Sequence, residues 1–113
     1  MSQVEIFKTT DKQIEIAVRF ENESVWFSQY QLADLFSTDR TSVLKRLKNI
    51  YKSGKLSEKQ TCEKIAQVQK EGSKAVKREI LHYNLDVIIS VGYRANSKRG
   101  MQFRQWATLS NLR

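Results

Sequence analysis

The fold of this chain is decided by residues 28–54, which read SQYQLADLFSTDRTSVLKRLKNIYKSG. Ser28 and Gln31 have the spacing of a capping box, in which a hydroxyl and an amide satisfy the free N–H groups at a helix start. Apolar residues then follow at helical spacing: Leu32, Leu35 and Phe36. The pattern predicts a first helix of about two turns that begins at Ser28.

A second helix is predicted directly after the first. Ser37-Thr38-Asp39 provides residues suited to a turn and an N-cap, and the helix is expected to run from Arg40 to Ser53. Gly54 is expected to stop it, because glycine tolerates the left-handed conformation at a helix C-terminus best. The two sides of the helix differ: an apolar arc about 120° wide lies opposite a basic stripe. The arc contains Val43, Leu44, Leu47, Ile50 and Tyr51, and the stripe contains Thr41, Lys45, Lys48 and Lys52.

The flanking segments show the two-residue period of β-strands. Before Ser28, Val4 and Ile6 and then residues 14–20 alternate apolar with polar, around turn residues 9–12, and residues 25–27 can add a third strand. After Gly54 we expect a second hairpin, with strands from about 61 to 70 and 75 to 83 around a turn at 71–73. Asn84 is expected to cap a helix over 85–91, followed by a basic link over 92–100 in which Ser97 caps a last helix.

The composition predicts one globular domain. The chain has 113 residues, of which 40% are hydrophobic and 28% charged, and it contains no proline. We find no linker, repeat or low-complexity tract, so residues 1–113 are expected to form a single α+β domain. The longest strongly apolar run, residues 87–91, is too short to cross a bilayer. No secretory signal is recognised, and one cysteine, Cys62, favours a reducing cytoplasm.

The charge is distributed unevenly along the chain. Residues 1–39 contain three basic and seven acidic residues, whereas residues 40–113 contain 17 basic and five acidic ones. A concentrated positive charge attracts polyanions, with nucleic acid the commonest such partner and an anionic membrane the weaker competitor. Lysines and arginines that only solubilise the surface would give the same totals.

Two helices joined by a short turn, followed by a basic hairpin, are the element order of a winged helix-turn-helix. One α-helix fits the DNA major groove, so the second helix is expected to lie there and the hairpin to form a wing on the backbone or in the minor groove. The alternative is a solvated basic helix that binds nothing. The candidate DNA-binding residues in these elements are Arg40, Thr41, Ser42, Lys45, Arg46, Lys48, Lys52, Lys70, Ser73 and Lys74. Arg40 is expected to contact guanine and the lysines to contact phosphates.

Several strings in the chain resemble one bacterial family. They are QLADLF at 31–36, KNI at 48–50, YNLDVIISVGYR at 83–94, NSKRG at 96–100 and QFRQWAT at 102–108. The chain resembles the RhuM-type virulence protein family over nearly all of its length. The resemblance implies a bacterial DNA-binding module, often encoded on mobile or pathogenicity-linked DNA and more distantly similar to phage KilA-N and Bro-N domains. Family members usually continue into a longer C-terminal region, so the chain is either a truncated domain or a short member.

The resemblance also bears on individual residues. Family members more often have a small polar residue where this chain has Leu44, which is interpreted as core, with contact to a thymine methyl as the alternative. The close match over 93–104 makes Arg94, Lys98, Arg99 and Arg104 candidates for a second phosphate-binding patch. Hydrogen bonds from Arg94 and Arg104 that hold the C-terminal helices together are the alternative.

Signs of catalysis are weak in this sequence. Cys62 and His82 are each about ten residues from Gly72, so a hairpin centred there would place them nearly opposite each other as a conceivable nucleophile pair. A zinc site needs three or four ligands, and no phosphate-binding glycine motif occurs. We therefore expect no enzymatic activity, no catalytic residues, no cofactor and no metal. Six aromatic residues are interpreted as core, with stacking on single-stranded bases as the minor alternative. They are Trp26, Tyr30, Tyr51, Tyr93, Phe103 and Trp106.

The resulting hypothesis is double-stranded DNA binding by a transcriptional regulator or DNA-targeting module, located in the cytoplasm at the nucleoid. One winged helix makes few contacts, so a homodimer or a partner protein is expected in the full assembly. The alternative is a protein–protein interaction adaptor that uses the acidic N-terminal sheet.

Overall fold

The computed structural model describes residues 3–9, 14–21, 24–95 and 98–109. The fold is α+β and contains a five-stranded antiparallel sheet with the strand order β1-β2-β3-β5-β4. The strands are β1 (Gln3–Lys8), β2 (Glu15–Glu21), β3 (Ser24–Ser28), β4 (Cys62–Glu71) and β5 (Lys74–Tyr83). The helices are α1 (Gln29–Leu35), α2 (Arg40–Lys52), α3 (Glu58–Thr61), α4 (Leu85–Ala95) and α5 (Lys98–Leu109).

The ends of α1 and α2 agree with the sequence patterns. The Ser28 hydroxyl accepts a hydrogen bond from the Gln31 N–H, and the Gln31 side chain accepts one from the Ser28 N–H, so the predicted capping box is confirmed. The Asp39 carboxylate caps α2, and Gly54 follows its last turn with φ +77°. These ends are fixed by contacts within a few residues, which explains why local patterns predict them.

The two hairpins were also predicted with small errors in their bounds. Thr9 and Ile14 close the first one by mutual hydrogen bonds, and the predicted turn residues 10–12 lie outside the described residues. The second hairpin, β4–β5, turns at Gly72 and Ser73. It joins the rest of the sheet only at its base, where Tyr83 and His82 pair with Phe27 and Ser28 of β3.

The C-terminal part differs from the prediction. Asn84 caps α4 as expected, with its side-chain oxygen accepting from the Val87 N–H, but the helix continues to Ala95 instead of ending near Val91. The predicted link over 92–100 is therefore wrong for its described residues, which belong to α4 and α5. Gly92 lies within α4, at a point where the Phe36 ring approaches the helix closely. The predicted cap Ser97 lies outside the described residues.

The core lies between one face of the sheet and the helices. Phe103 of α5 packs against Phe7 and Phe27, with ring centroids 5.3 Å and 4.8 Å apart, and Trp106 packs against Phe7 and Phe20. The interpretation of Phe103 and Trp106 as core is correct, since Phe103 is fully buried and Trp106 is partly buried and packs against the core. Buried residues from α1, α2 and α4 complete the same cluster: Leu32, Leu35, Val43, Leu47, Ile50, Val87, Ile88 and Val91. The core thus holds α2 with one side inward and the other in solvent.

Candidate nucleic-acid interface

The exposed side of α2 has the composition that the sequence predicts. Val43, Leu47 and Ile50 are buried and fix the orientation of the helix. The residues on the opposite side are all exposed: Thr41, Lys45, Lys48 and Lys52. From Thr41 to Lys52, this basic face is about 17 Å long.

Two other predicted contact residues of α2 lie at the edge of this face. Ser42 and Arg46 are both partly buried. The backbone N–H of Ser42 donates to the Asp39 carboxylate at 2.6 Å, and this hydrogen bond is the main reason that the pKa of Asp39 is lowered. The first turn of α2 therefore already has a carboxylate as its cap, which places a negative charge beside Arg40.

Leu44 is a correction to the sequence interpretation. It was assigned to the core, but its side chain is 43% exposed, whereas Val43, Leu47 and Ile50 are almost completely buried. Leu44 lies at the edge of the apolar arc, and α1 and α4, which pack against α2, leave it partly exposed. Position on a helical wheel gives the direction of a side chain but not the width of the surface that the neighbours cover.

Arg40 contacts Tyr30 of α1, a contact that the sequence did not suggest. Arg40 Nη1 donates to the Tyr30 hydroxyl oxygen at 3.0 Å, and the guanidinium carbon lies 5.2 Å from the centroid of the Tyr30 ring. Both side chains remain exposed. The tyrosine restricts the arginine while leaving its other N–H groups available, because a guanidinium has five donors. The interpretation of the aromatic residues as core is wrong for Tyr30.

The turn between α1 and α2 is fixed by its own hydrogen bonds. The Thr38 N–H donates to the Ala33 carbonyl and the Ser37 N–H to the Asp34 carbonyl, which is the pattern of a Schellman motif. Ser37 has φ +51°, a left-handed conformation that glycine usually provides. Arg99 of α5 donates to the Asp34 carbonyl and to the Ser37 hydroxyl.

The residues predicted to form a second phosphate-binding patch have different surroundings. Arg99 contacts the α1–α2 turn, so the start of α5 lies near the start of α2. Lys98 is exposed next to it, and Arg104 is exposed one and a half turns further along α5. Arg94 belongs to α4, but its side chain lies outside the part of the chain that the structure describes. Lys98 and Arg99 are therefore the members that the structure brings towards α2.

The predicted hairpin residues Lys70, Ser73 and Lys74 are all exposed at the tip of β4–β5. Their faces differ, since Lys70 pairs with Ala75 whereas Lys74 pairs with Glu71, and neighbouring pairs alternate between faces. Glu71 forms a two-pronged ion pair with Arg78, with N–O distances of 2.6 Å and 2.9 Å. This contact lowers the pKa of Glu71, chiefly through the hydrogen bonds from Arg78.

Sequence reasoning missed two lysines that share a face with Lys70. Counting in twos along the paired strands places Lys64, Lys70 and Lys77 on one face, which we call the hairpin lysine face. All three are exposed. The same face includes Tyr83 at the base, whose ring lies 6.5 Å from that of Tyr51 on α2. The hairpin lysine face is thus on the α2 side of the sheet, and the two-residue period counted from Tyr83 was the signal that could have found it.

Cys62 and His82 do not form the pair that a symmetric hairpin would give. Cys62 pairs with Tyr83 and His82 pairs with Glu63, so the two side chains lie on opposite faces of the hairpin. Burial raises the pKa of the Cys62 thiol, and burial lowers the pKa of His82. A one-residue shift in register therefore separates the two groups.

Residues 3–9, 14–21, 24–95 and 98–109 are the part of the chain that the structure describes. They contain no group of three or more histidine, cysteine, aspartate or glutamate side chains arranged to hold a metal ion. Within the same residues, no helix is both long and apolar enough to span a membrane.

A protein-family model matches the C-terminal part of the chain. The model of the family described as Virulence protein RhuM family matches residues 60–112, from the end of α3 through α5. The resemblance inferred from the sequence motifs is confirmed over this part, which is slightly less than half of the chain. Helices α1 and α2 lie outside the match. No curated protein and no solved structure shows significant similarity to the chain.

Proposed function

Because residues 60–112 match the RhuM virulence protein family, we propose that this chain is a winged helix-turn-helix domain that binds double-stranded DNA. In this proposal α1 and α2 are the helix-turn-helix, α2 lies in the major groove, and the β4–β5 hairpin is the wing on the backbone. The domain acts as a transcriptional regulator or DNA-targeting module at the bacterial nucleoid.

The observation that carries the proposal is the basic face of α2. Three lysines and a threonine line one side of a helix whose other side is buried, so the face is rigid and directed outward. The major groove is about 12 Å wide and admits one helix of this kind. Two ion pairs join Lys8 to Glu15 and Arg78 to Glu71, and neither of them involves a lysine of α2.

The hairpin lysine face supplies a second group of cations on the α2 side of the sheet. The wing reaches away from the core, because only its base pairs with β3. With ten residues in each strand, the hairpin is about 30 Å long, which is enough to follow the backbone beyond the groove that α2 occupies. Lys98 at the start of α5 is an exposed cation next to Arg99, which contacts the α1–α2 turn.

The test is a titration of a fluorescent random-sequence duplex with the protein at about 50 and 200 mM salt, followed by anisotropy, with a single strand as control. If about six phosphates are neutralised, affinity for the duplex falls about a thousandfold between the two salt concentrations. Lys48→Gln weakens binding to all duplexes by a similar factor and lowers the salt slope by about 1. Lys8→Gln is the matched control, because Lys8 is an exposed lysine on β1.

The outcomes separate DNA binding from a surface that is merely charged. Binding that prefers the duplex, with Lys48→Gln weaker and Lys8→Gln unchanged, supports the proposal. No binding at 50 mM salt overturns it, and an equal loss for both variants overturns the assignment of α2. Preference for the single strand would favour stacking of bases on exposed aromatic residues instead.

A second candidate function is protein binding through the N-terminal sheet. Strand β1 is an edge strand, and its outward side chains Val4 and Ile6 are 55% and 52% exposed. An exposed apolar edge strand is a surface on which another strand can pair. We propose that this edge joins the domain to a second copy or to a partner protein.

Sedimentation velocity tests whether two copies of the chain associate through the β1 edge. A dimer of the wild-type chain that Ile6→Lys converts to a monomer supports self-association through β1, and Leu109→Lys on α5 is the control. A monomer at all concentrations, both free and on DNA, contradicts self-association through this strand.

A further inference from the structure

We infer that Leu44 contacts the 5-methyl group of a thymine within two base pairs of the base that Arg40 contacts. The inference rests on the proposed DNA binding and adds a chemical specificity to it. Its starting point is the 43% exposure of a leucine in a helix whose core residues Val43, Leu47 and Ile50 are buried. The core therefore does not require an apolar side chain at position 44.

The position of Leu44 places it beside the first turn of α2. Leu44 and Arg40 are four residues apart, so they lie on neighbouring parts of one helix side with a rise of about 6 Å between them. Base pairs in DNA are separated by about 3.4 Å. The two side chains therefore reach adjacent or next-adjacent base pairs when the start of α2 enters the major groove.

Contact with Tyr30 restricts the conformations of the Arg40 side chain, which is the group proposed to bind a base. The tyrosine hydroxyl accepts from Nη1 at 3.0 Å, and the ring lies beside the guanidinium, so the arginine head is held at the start of α2. A restricted guanidinium loses less conformational entropy when it binds the O6 and N7 atoms of guanine. The spacing then limits which base pairs Leu44 can reach.

Among the groups that bases present in the major groove, the thymine methyl is the apolar one that a leucine can cover. Leu44 lies between Arg40 and Lys48 along the helix, so cations flank it on both sides. Such surroundings suit the groove of a polyanion better than an apolar protein surface, where both cations would lose their hydration. The predicted preference is a guanine and a thymine within two base pairs.

The experiment begins with selection of a duplex that the wild-type chain enriches from a random pool. Each thymine of the selected site is then replaced singly by deoxyuridine, which removes only the methyl group. One replacement is expected to weaken wild-type binding about fourfold, the value for one buried methyl group. Leu44→Ala is expected to bind the thymine and uracil duplexes equally while keeping the wild-type salt slope.

Leu109→Ala is the matched control, since Leu109 is an exposed leucine on α5, far along the chain from α2. This variant should keep the wild-type sensitivity to deoxyuridine. Because Leu44 is 43% exposed at the edge of the core, Leu44→Ala is expected to fold, and circular dichroism checks this.

Three results would contradict the inference in different ways. If the wild-type chain binds no duplex at 50 mM salt, the proposed function fails and the inference fails with it. If the chain binds DNA but no single deoxyuridine replacement weakens binding, only the proposed role of Leu44 is wrong. If Leu44→Ala keeps the sensitivity to deoxyuridine, another residue contacts the methyl group and the assignment to Leu44 is overturned.

Discussion

Phe36 and Gly100 are in such close contact that a Cβ atom on Gly100 would lie 2.9 Å from Cε1 of the Phe36 ring. The same ring lies against Gly92, where a Cβ would be 3.1 Å from Cε1. Phe36 is the last residue before the α1–α2 turn, and the glycines belong to α4 and α5. The C-terminal helices thus support the turn that sets α2 in place.

This contact predicts that Gly100→Ala destabilises the fold. Alanine normally stabilises a helix by about 1 kcal/mol relative to glycine. Here the added methyl group would also lie 3.3 Å from the Cα of Gly92, so the helices must move apart, and the strain costs about 1 to 3 kcal/mol. After the gain from helix propensity is subtracted, the expected net loss is up to about 2 kcal/mol. Urea denaturation followed by circular dichroism measures the change in the free energy of unfolding.

Phe36→Leu provides the control for this steric argument. A smaller side chain leaves room for the new methyl group, so the double variant is expected to be more stable than the sum of the two single changes indicates. A Gly100→Ala variant that is more stable than the wild-type chain would show that the helices adjust without cost.

The left-handed conformation of Ser37 predicts an order of stability for two variants. Both Ser37→Ala and Ser37→Gly remove the hydroxyl that accepts from Arg99, but only glycine adopts φ +51° without strain. Ser37→Gly is therefore expected to be more stable than Ser37→Ala by about 1 kcal/mol. Thermal denaturation of both variants checks the order, and equal melting temperatures would contradict it.

The side chain of Gln31 makes one hydrogen bond that caps α1 and another that attaches the helix to strand β2, and we expect a substitution to remove the second without the first. Its side-chain oxygen accepts from the Ser28 N–H, and its amide nitrogen donates to the Ala17 carbonyl of β2 at 2.8 Å. Gln31→Glu keeps the first hydrogen bond and loses the second, because a carboxylate cannot donate. The expected cost is about 1 kcal/mol in the free energy of unfolding.

A comparison with Ser28→Ala tests this division of roles. That variant removes the cap and is also expected to cost about 1 kcal/mol. Hydrogen exchange distinguishes the two changes, since Ser28→Ala should expose the first N–H groups of α1, whereas Gln31→Glu should leave them protected. Loss of protection in both variants would mean that the two contacts act as one unit.

His82 predicts how stability depends on pH. Its side chain is buried, and burial is the main reason that its pKa is lowered from 6.5, with the Ile80 carbonyl near Nδ1 acting in the opposite direction. The unfolded chain therefore binds a proton at a higher pH than the folded chain does. The stability that depends on a neutral His82 is fully present above about pH 7. It is lost as the pH falls through 6.5 towards the pKa of His82 in the folded chain.

The chain contains one histidine, so the loss of stability between pH 7 and 5 can be assigned to it. Urea denaturation at several pH values should show the free energy of unfolding decreasing over this range in the wild-type chain. His82→Gln should remove most of that dependence. The same pH dependence in the variant would assign it to other groups.

The sequence was sufficient where the deciding contacts are local. Ser28 with Gln31 and Asp39 with Ser42 define the starts of α1 and α2, and a two-residue period defines the strands. The family motifs in the C-terminal half were likewise visible, and the family match covers residues 60–112. The DNA-binding residues proposed on α2 and the wing stay predictions until the titrations are made.

Only the tertiary structure decided the features that depend on distant segments. The lack of room for a side chain at Gly92 of α4 depends on the Phe36 ring. The contact of Arg40 with Tyr30 depends on how α1 and α2 pack, and the exposure of Leu44 depends on the area that its neighbours cover. The register of β4 and β5 likewise decided that Cys62 and His82 face apart. The physical reason is common to all four: a local pattern sets the direction of a side chain, whereas packing against distant residues sets what that side chain meets.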